Sequence, residues 1–236
     1  MALRERELIL IPCSVTKNHG GRRNVNGRRL EDDLPEDMKG ELDTMRSYVG
    51  DKLLDISSQD LRKEPHLPAF QRYSGKMYER IHEGVWEEVS RRKDMDIVVL
   101  SALYGMVYWD EPVINYDLAM NQSIYPRFML NTWWRHEGLP EILSSYVETG
   151  DYSMVRSFLS GDYLKAVLPA MDRSEALWLQ YEYSGLGVGS NYYRGTDLSH
   201  VILDRNTGCP ECGSRAVRRV SREYHSCLSC GISYAF

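Results

Sequence analysis

Two Cys-x-x-Cys pairs, Cys209-Pro-Glu-Cys212 and Cys227-Leu-Ser-Cys230, stand 14 residues apart and restrict the last part of this sequence more than any other feature. Each pair sets two thiolates on a short loop that can face one tetrahedral ion. Gly208, Pro210, Gly213 and Gly231 suit the tight turns such loops need. Between the pairs, residues 216–223 hold Val217 and Val220 among arginines and read as a short strand. The pattern predicts a small structural zinc ribbon over residues 201–236, with Cys209, Cys212, Cys227 and Cys230 as ligands. Four thiolates leave no open coordination position for catalysis. Two disulfides are the alternative. The first seven residues are charged and lack the apolar core of an export signal, which predicts a reducing, cytoplasmic setting and disfavours disulfides.

Upstream, the apolar signal is that of a doubly wound protein. Residues 7–14 (ELILIPCS) and 96–102 (DIVVLSA) are short apolar runs that read as buried parallel strands. Met77, Ile81, Val85 and Val89 recur every four residues and predict an amphipathic helix, with Ser74 as its N-cap. Residues 38–54 and 118–129 also read as helices, and residues 139–147, 152–159 and 174–180 as further helix or strand. Residues 15–29 are polar, glycine-rich and basic and read as a mobile loop. Residues 59–68, with two prolines, read as a linker, as do residues 195–206. The alternation predicts an α/β domain over residues 1–200: three layers, a mostly parallel sheet with flanking helices. With 42% hydrophobic and 27% charged residues in 236, whole-chain disorder and coiled coil are excluded, and no apolar run is long enough to span a bilayer. The net charge of −5 gives no global basic field.

In an open parallel sheet, ligands bind where loops leave the carboxyl ends of strands. Residues 12–17 and 101–105 are such loops. Ser14 and Ser101 offer hydroxyls there, and Lys17 offers a point charge for a phosphate or carboxylate. Tyr73, Tyr104 and Tyr116 offer rings to stack on a flipped base or hydroxyls to bond its edge. Asp117 is a carboxylate able to position water or stabilise an oxocarbenium-like sugar, with Asp110 and Glu111 as second candidates. Simpler readings stand beside these. Asp117 can cap a helix starting at Leu118, Cys13 can be a small buried hydrophobe, and Tyr73 can be core. The glycines of residues 184–189 match a dinucleotide fingerprint only loosely, and the six histidines form no metal spacing. In the ribbon, Arg215, Arg218, Arg219 and Arg222 stand near Tyr224, His225 and Tyr234. That composition suits a grip on phosphates, as do Arg22 and Arg23 in the long loop, or merely a solvated surface.

Taken in order, Pro12-Cys13-Ser14-x-x-Lys17, Tyr73-Ser74-Gly75, Ser101-Ala102-x-Tyr104-Gly105 and Asn115-Tyr116-Asp117 resemble an uncharacterised bacterial family with the pattern PCSxxK, Y(T/S)GS, SAKYGL and PY(D/E). That family is itself similar to YaaA-type DNA-binding proteins and to the uracil-DNA-glycosylase-like superfamily, which includes a domain of archaeosine synthase. The resemblance covers roughly residues 8–189 and takes in Phe158-Leu159-Ser160-Gly161. Leu103 replaces the family's lysine and Asn115 its proline, and the ribbon is an addition. The resemblance implies a uracil-DNA-glycosylase-like fold and a strand-end pocket that includes Cys13, Ser74 and Gly105. It implies a monofunctional DNA glycosylase that cleaves the N-glycosidic bond of a modified base, with Asp117 or Asp110 assisting water. Its sharpest form is an anti-phage enzyme acting on glucosylated hydroxymethylcytosine, with phage DNA as partner; the structural zinc rests on the cysteine spacing alone. Two alternatives are a non-catalytic YaaA-like DNA-binding protein and an enzyme of modified nucleotides or tRNA bases.

Overall fold

The structure, a computed structural model, describes residues 6–23, 25, 27–57, 60–125, 128–183, 186–203, 208–221 and 223–235. The first strand, β1 (Arg6–Pro12), carries four consecutive fully buried residues, Leu8, Ile9, Leu10 and Ile11. A strand apolar on both faces belongs in the middle of a covered sheet. After it come α1 (Glu36–Ser57), β2 (His66–Pro68), α2 (Ala69–Arg72) and α3 (Gly84–Arg91). Next are β3 (Met95–Ser101), β4 (Gly105–Tyr108), β5 (Pro112–Ile114), β6 (Ser123–Tyr125) and β7 (Phe128–Met129). The chain continues through α4 (Leu130–Glu137), α5 (Leu139–Thr149), β8 (Tyr152–Ser157), α6 (Gly161–Val167) and α7 (Pro169–Arg173). It ends with β9 (Leu177–Gln180), α8 (Ser190–Leu203), β10 (Val217–Arg219), β11 (Tyr224–Cys227) and β12 (Ser233–Ala235).

The main sheet has the order β4-β3-β1-β8-β9. β3, β1, β8 and β9 run parallel, in a register that sets Ile9 beside Ile97, and β4 closes one edge antiparallel. Helices flank it: α4, α5, α6 and α7 pack on one another, and α3 packs on α8. This is the mixed α/β fold with a mostly parallel sheet that the sequence predicts. Among the described residues no helix is long and apolar enough to cross a membrane.

Several expected elements differ. Among the described residues of 118–129 there is no helix. Tyr116, Leu118 and Met120 are buried while Asp117 is exposed, the period-two burial of extended chain. Turn-forming Asn121, Gln122 and Ser123 then lead into the β6–β7 hairpin. Asp117 therefore caps no helix. The apolar row Met77, Ile81, Val85 and Val89 is buried as expected, but it is divided between a 3-10 turn at Tyr78–Arg80 and α3. Ser74 caps neither. It lies ahead of both, its backbone N–H donating to the Thr16 carbonyl at 3.0 Å. Residues 59–68 are no free linker, since β2 pairs with β5, and residues 195–203 belong to α8. The 15–29 loop is tied down by bridges from Lys17 to Tyr73 and from Arg22 to His66, and by Arg72, which donates to the Asn18 and Gly20 carbonyls.

β10, β11 and β12 form a separate antiparallel sheet. It docks beside β9 through buried charge. Arg156, 3% exposed, donates to the Val217 and Arg215 carbonyls and pairs with Glu7 at 3.3 Å. Arg219 forks onto Asp197 of α8 at 2.5 and 2.7 Å.

Candidate functional site

β1 and β3 end side by side, and the loop leaving β1 forms one edge of an open cleft of about 650 Å³. Cys13 and Ser14 line it, facing Gly75, Lys76, Tyr163 and Asn191. The fit between the two loops is tight. Gly75 has φ +104°, and a β-carbon there would come within 3.0 Å of the Ser14 Oγ.

Beneath the cleft lies a polar cluster. The Ser101 hydroxyl is its node: the Tyr73 hydroxyl donates to it at 3.1 Å, the Tyr116 hydroxyl lies at 2.9 Å, and the Tyr104 backbone N–H donates to it at 3.2 Å. Tyr73 and Tyr116 meet at 3.1 Å. The Cys13 sulfur joins the chain, 3.6 Å from the Tyr116 hydroxyl and 3.1 Å from that of Tyr163. Burial, reinforced by Cys13, pushes Tyr73, Tyr116 and Tyr163 well above the ordinary phenol range, so their hydroxyls keep their protons at neutral pH. Over this floor stands the Lys17 ammonium, 3.9 Å from the Tyr116 ring centroid. Burial lowers its pKa, while Cys13 and the nearby Asp117 carboxylate favour its charged form.

The expected residues therefore separate into groups. Cys13 and Ser14 line the cleft, with Lys17 and Asp117 beside the tyrosine cluster. Tyr73, Ser101 and Tyr116, at most 2% exposed, support the cleft from below and have no free face for a base to stack on. Tyr104 is half-buried, and its hydroxyl accepts the Ile114 backbone N–H at 3.3 Å. Gly105 is buried because β4 starts under a helix. With φ +71°, a β-carbon on it would meet Leu139 and Trp134 at 3.1 Å, so it serves packing rather than binding. Asp110 does not join the cluster. It interacts with Arg28 and Asp96, at the end of the sheet where β3 begins, and burial raises its pKa. Glu111 is 4% exposed and accepts the Leu30 and Tyr108 backbone N–H groups, a structural role.

The basic residues also divide. Arg22 and Arg23 are exposed. Arg219 is spent on Asp197, and Arg215 pairs with Glu7 at 3.2 Å, because docking the ribbon required cations for two buried carboxylates. Arg218 is half-buried, and Arg222 lies outside the described residues. Tyr163, Lys76, Glu79, Ser190 and Asn191 of the cleft were not anticipated. For Tyr163 a signal existed. Ser160-Gly161 follows β8 as Cys13-Ser14 follows β1, so the same strand-end rule applied to a third strand finds it.

In the ribbon the four sulfurs of Cys209, Cys212, Cys227 and Cys230 lie within 4.8 Å of one another. Cys209 and Cys230 are 3.6 Å apart, and Cys212 and Cys227 3.7 Å. Four sulfurs about 2.3 Å from one tetrahedral zinc have very nearly this spacing. A disulfide needs about 2.05 Å, and all four cysteines are free. The donor set thus fits zinc, and the disulfide alternative falls. Val217, Ile232 and Tyr234 pack against Cys209 and Cys227 as the ribbon's small core.

Fold and site define an α/β protein with a strand-end cleft and an added four-cysteine module. The chain belongs to the peroxide stress protein YaaA family, whose model matches residues 9–188. The ribbon lies beyond the matched stretch. No curated protein matches this chain. A crystal structure of AF0587, a protein of unknown function, aligns with 80% of this chain and 43% of its own length, at 11% identity and a TM-score of 0.34. The chain thus spans less than half of that protein.

Proposed function

We propose that this chain is a monofunctional DNA glycosylase that hydrolyses the N-glycosidic bond of a modified base held in the strand-end cleft. The observation that carries the reading is a roomy cleft at the end of β1, with a cation and a carboxylate, Lys17 and Asp117, beside the tyrosine cluster beneath it. Water adds at C1′ of the sugar, the bond from C1′ to the base nitrogen breaks, and its electron pair leaves with the base. The Asp117 carboxylate stabilises the positive charge that develops on the sugar and accepts the water's proton. The Lys17 ammonium stabilises the departing base as it gains negative charge. Hydroxyls held protonated beneath the cleft fix the orientation of Cys13 and Tyr163, whose outer faces meet the base. A large modified base, with glucosylated hydroxymethylcytosine as the first candidate, suits the open shape.

A second reading, DNA binding without catalysis, is favoured by the burial of Tyr73 and Tyr116, which removes two of the rings expected to hold a base. One experiment separates the two. Purified zinc-loaded protein is incubated with DNA carrying glucosylated hydroxymethylcytosine and with unmodified DNA, and released bases are identified by mass spectrometry after alkali treatment. The expected outcome is a released modified base, alkali-labile nicks, and a rate lowered by about 10²-fold or more in Asp117→Asn. Binding to both DNAs with no release from either establishes the second reading instead.

A further inference from the structure

Among the described residues, Arg194 is a buried cation with no carboxylate within ion-pair distance, and Glu182 attracts it only from farther away. It is 7% exposed. Its guanidinium reaches Ser190 Oγ at 3.3 Å and Asn191 Oδ1 at 2.7 Å and lies 4.5 Å from the Tyr183 ring centroid. Its Nε is buried without a hydrogen-bond partner. The other buried arginines are answered. Arg156 faces Glu7, Arg219 faces Asp197, and Arg72 donates to the carbonyls of Asn18, Gly20, Pro65 and Val113. A buried charge is ordinarily paired. Here the location is doubly unfavourable. The guanidinium turns back to the amino end of α8, where free backbone N–H groups and the helix dipole are already positive.

More positive charge gathers at the same turn. The Lys76 ammonium and the Arg80 guanidinium lie 5.8 and 4.8 Å from the ring centroid of Tyr192, in the first turn of α8. Gly195 makes this approach possible, since a β-carbon there would strike the Met77 carbonyl oxygen at 2.2 Å. Ser190 and Asn191 open onto the cleft opposite Ser14, beside Lys76 and Ser160. On the lining itself Lys76 and the carboxylate of Glu79 stand together, while Arg80 and Arg194 lie off the lining at the same turn.

We propose that the amino end of α8 is a phosphate-binding site, in which Ser190, Asn191 and Lys76 contact the phosphate and Arg194 supplies the buried countercharge behind them. With no carboxylate in ion-pair contact, much of the guanidinium's charge is left for the ligand, and the convergence of side chain and helix terminus matches the way phosphates are held elsewhere. The proposal deepens the reading above, since a nucleotide in the cleft would place its phosphate here, but the site does not depend on base release.

The test uses the full zinc-loaded chain and calorimetric titration with three probes: inorganic phosphate, a deoxynucleoside 5′-monophosphate and a short single-stranded deoxyoligonucleotide. Wild type should bind phosphate, and Arg194→Met and Lys76→Gln should each bind it about tenfold more weakly or worse. The unliganded Arg194→Met protein should melt at or above the wild-type temperature, because a buried charge without an ion pair has been replaced by an apolar chain. Tighter binding of the oligonucleotide, lost in Arg194→Met, assigns the site to a nucleic-acid backbone. Tighter binding of the mononucleotide alone assigns it to a free nucleotide. The proposal is overturned if wild type binds none of the probes. It is equally overturned if Arg194→Met keeps wild-type affinity, or melts well below wild type while Lys76→Gln binds normally, which makes Arg194 structural. Phosphate binding in a protein that releases no base keeps this site and removes the glycosylase reading.

Discussion

Ser101 shows how much a single hydroxyl organises. It is fully buried, and two tyrosine hydroxyls and one backbone N–H converge on it. Ser101→Ala leaves these groups short of a partner in a site water cannot easily fill. Unsatisfied buried groups cost about 1–3 kcal/mol each. We expect a loss of about that size in urea unfolding, with Tyr73→Phe smaller because it removes a donor together with its hydroxyl oxygen. An unchanged stability in Ser101→Ala would show that the tyrosines satisfy one another. The same residues teach a lesson about reading sequences. Ser101 sits at a strand end where ligands bind, and Tyr73 and Tyr116 come to it from neighbouring loops, yet all three lie one layer below the surface. Residue type and loop position indicate the neighbourhood of a cleft, but not whether a side chain lines it or floors it.

At the scale of elements, buried strands were the most legible. β1 and β3 follow directly from apolar runs that have no polar face, and the cysteine spacing foretold the clustered sulfurs. The stretch from Asp117 to Met129 was not legible, because Leu118, Met120 and Ile124 satisfy a helical count as well as an extended one. Long-range pairing and the β6–β7 hairpin decided it. The sequence predicts a linker over residues 195–206, of which 204–206 lie outside the described residues, yet residues 195–203 are helical although Gly195, Thr196 and Asp197 are poor helix formers. Tertiary contacts override this: Gly195 admits the Met77 carbonyl, and Asp197 receives Arg219. The ribbon gives an element-scale prediction. With zinc bound, a thiol reagent should find no fast-reacting cysteine. After chelation, four thiols should react quickly while Cys13, 7% exposed and bonded to Tyr163, reacts slowly. Four fast thiols before chelation would show that the site holds no metal.

Across the whole molecule, a second polar network lies at the end of the sheet opposite the cleft. Arg28 joins Asp33 at 2.7 Å and Asp96 at 3.1 Å, Tyr152 donates to Asp96 at 2.6 Å, and Tyr146 links Tyr152 to Tyr108 at 2.9 Å each. It ties β3, β4, α5 and β8 to the loop before α1. Burial pushes the Asp33 carboxyl up, but hydrogen bonds from Tyr108 and Arg28 outweigh it and hold the pKa below the ordinary value. A carboxyl depressed by folding contributes stability that is complete above its unfolded pKa of about 3.9 and lost as pH falls through the folded value. Unfolding midpoints should therefore drop as pH falls below about 4, the unfolded value, and drop less steeply in Asp33→Asn. Parallel curves for the two proteins would exclude Asp33 as a source of the acid limb.

The docked ribbon has a consequence of a different kind. β9 is an outer strand of the sheet, and the ribbon stands along it, with the Glu182 backbone N–H donating to the Arg219 carbonyl at 3.0 Å and the Tyr181 hydroxyl donating to that of Val217 at 2.9 Å. An uncovered border strand is a template for another copy of the same chain. Zinc held by the four cysteines would thereby also guard against aggregation. Metal-starved protein should scatter light and form assemblies before its helices melt, so that a shortage of zinc would register first as self-association and only later as unfolding.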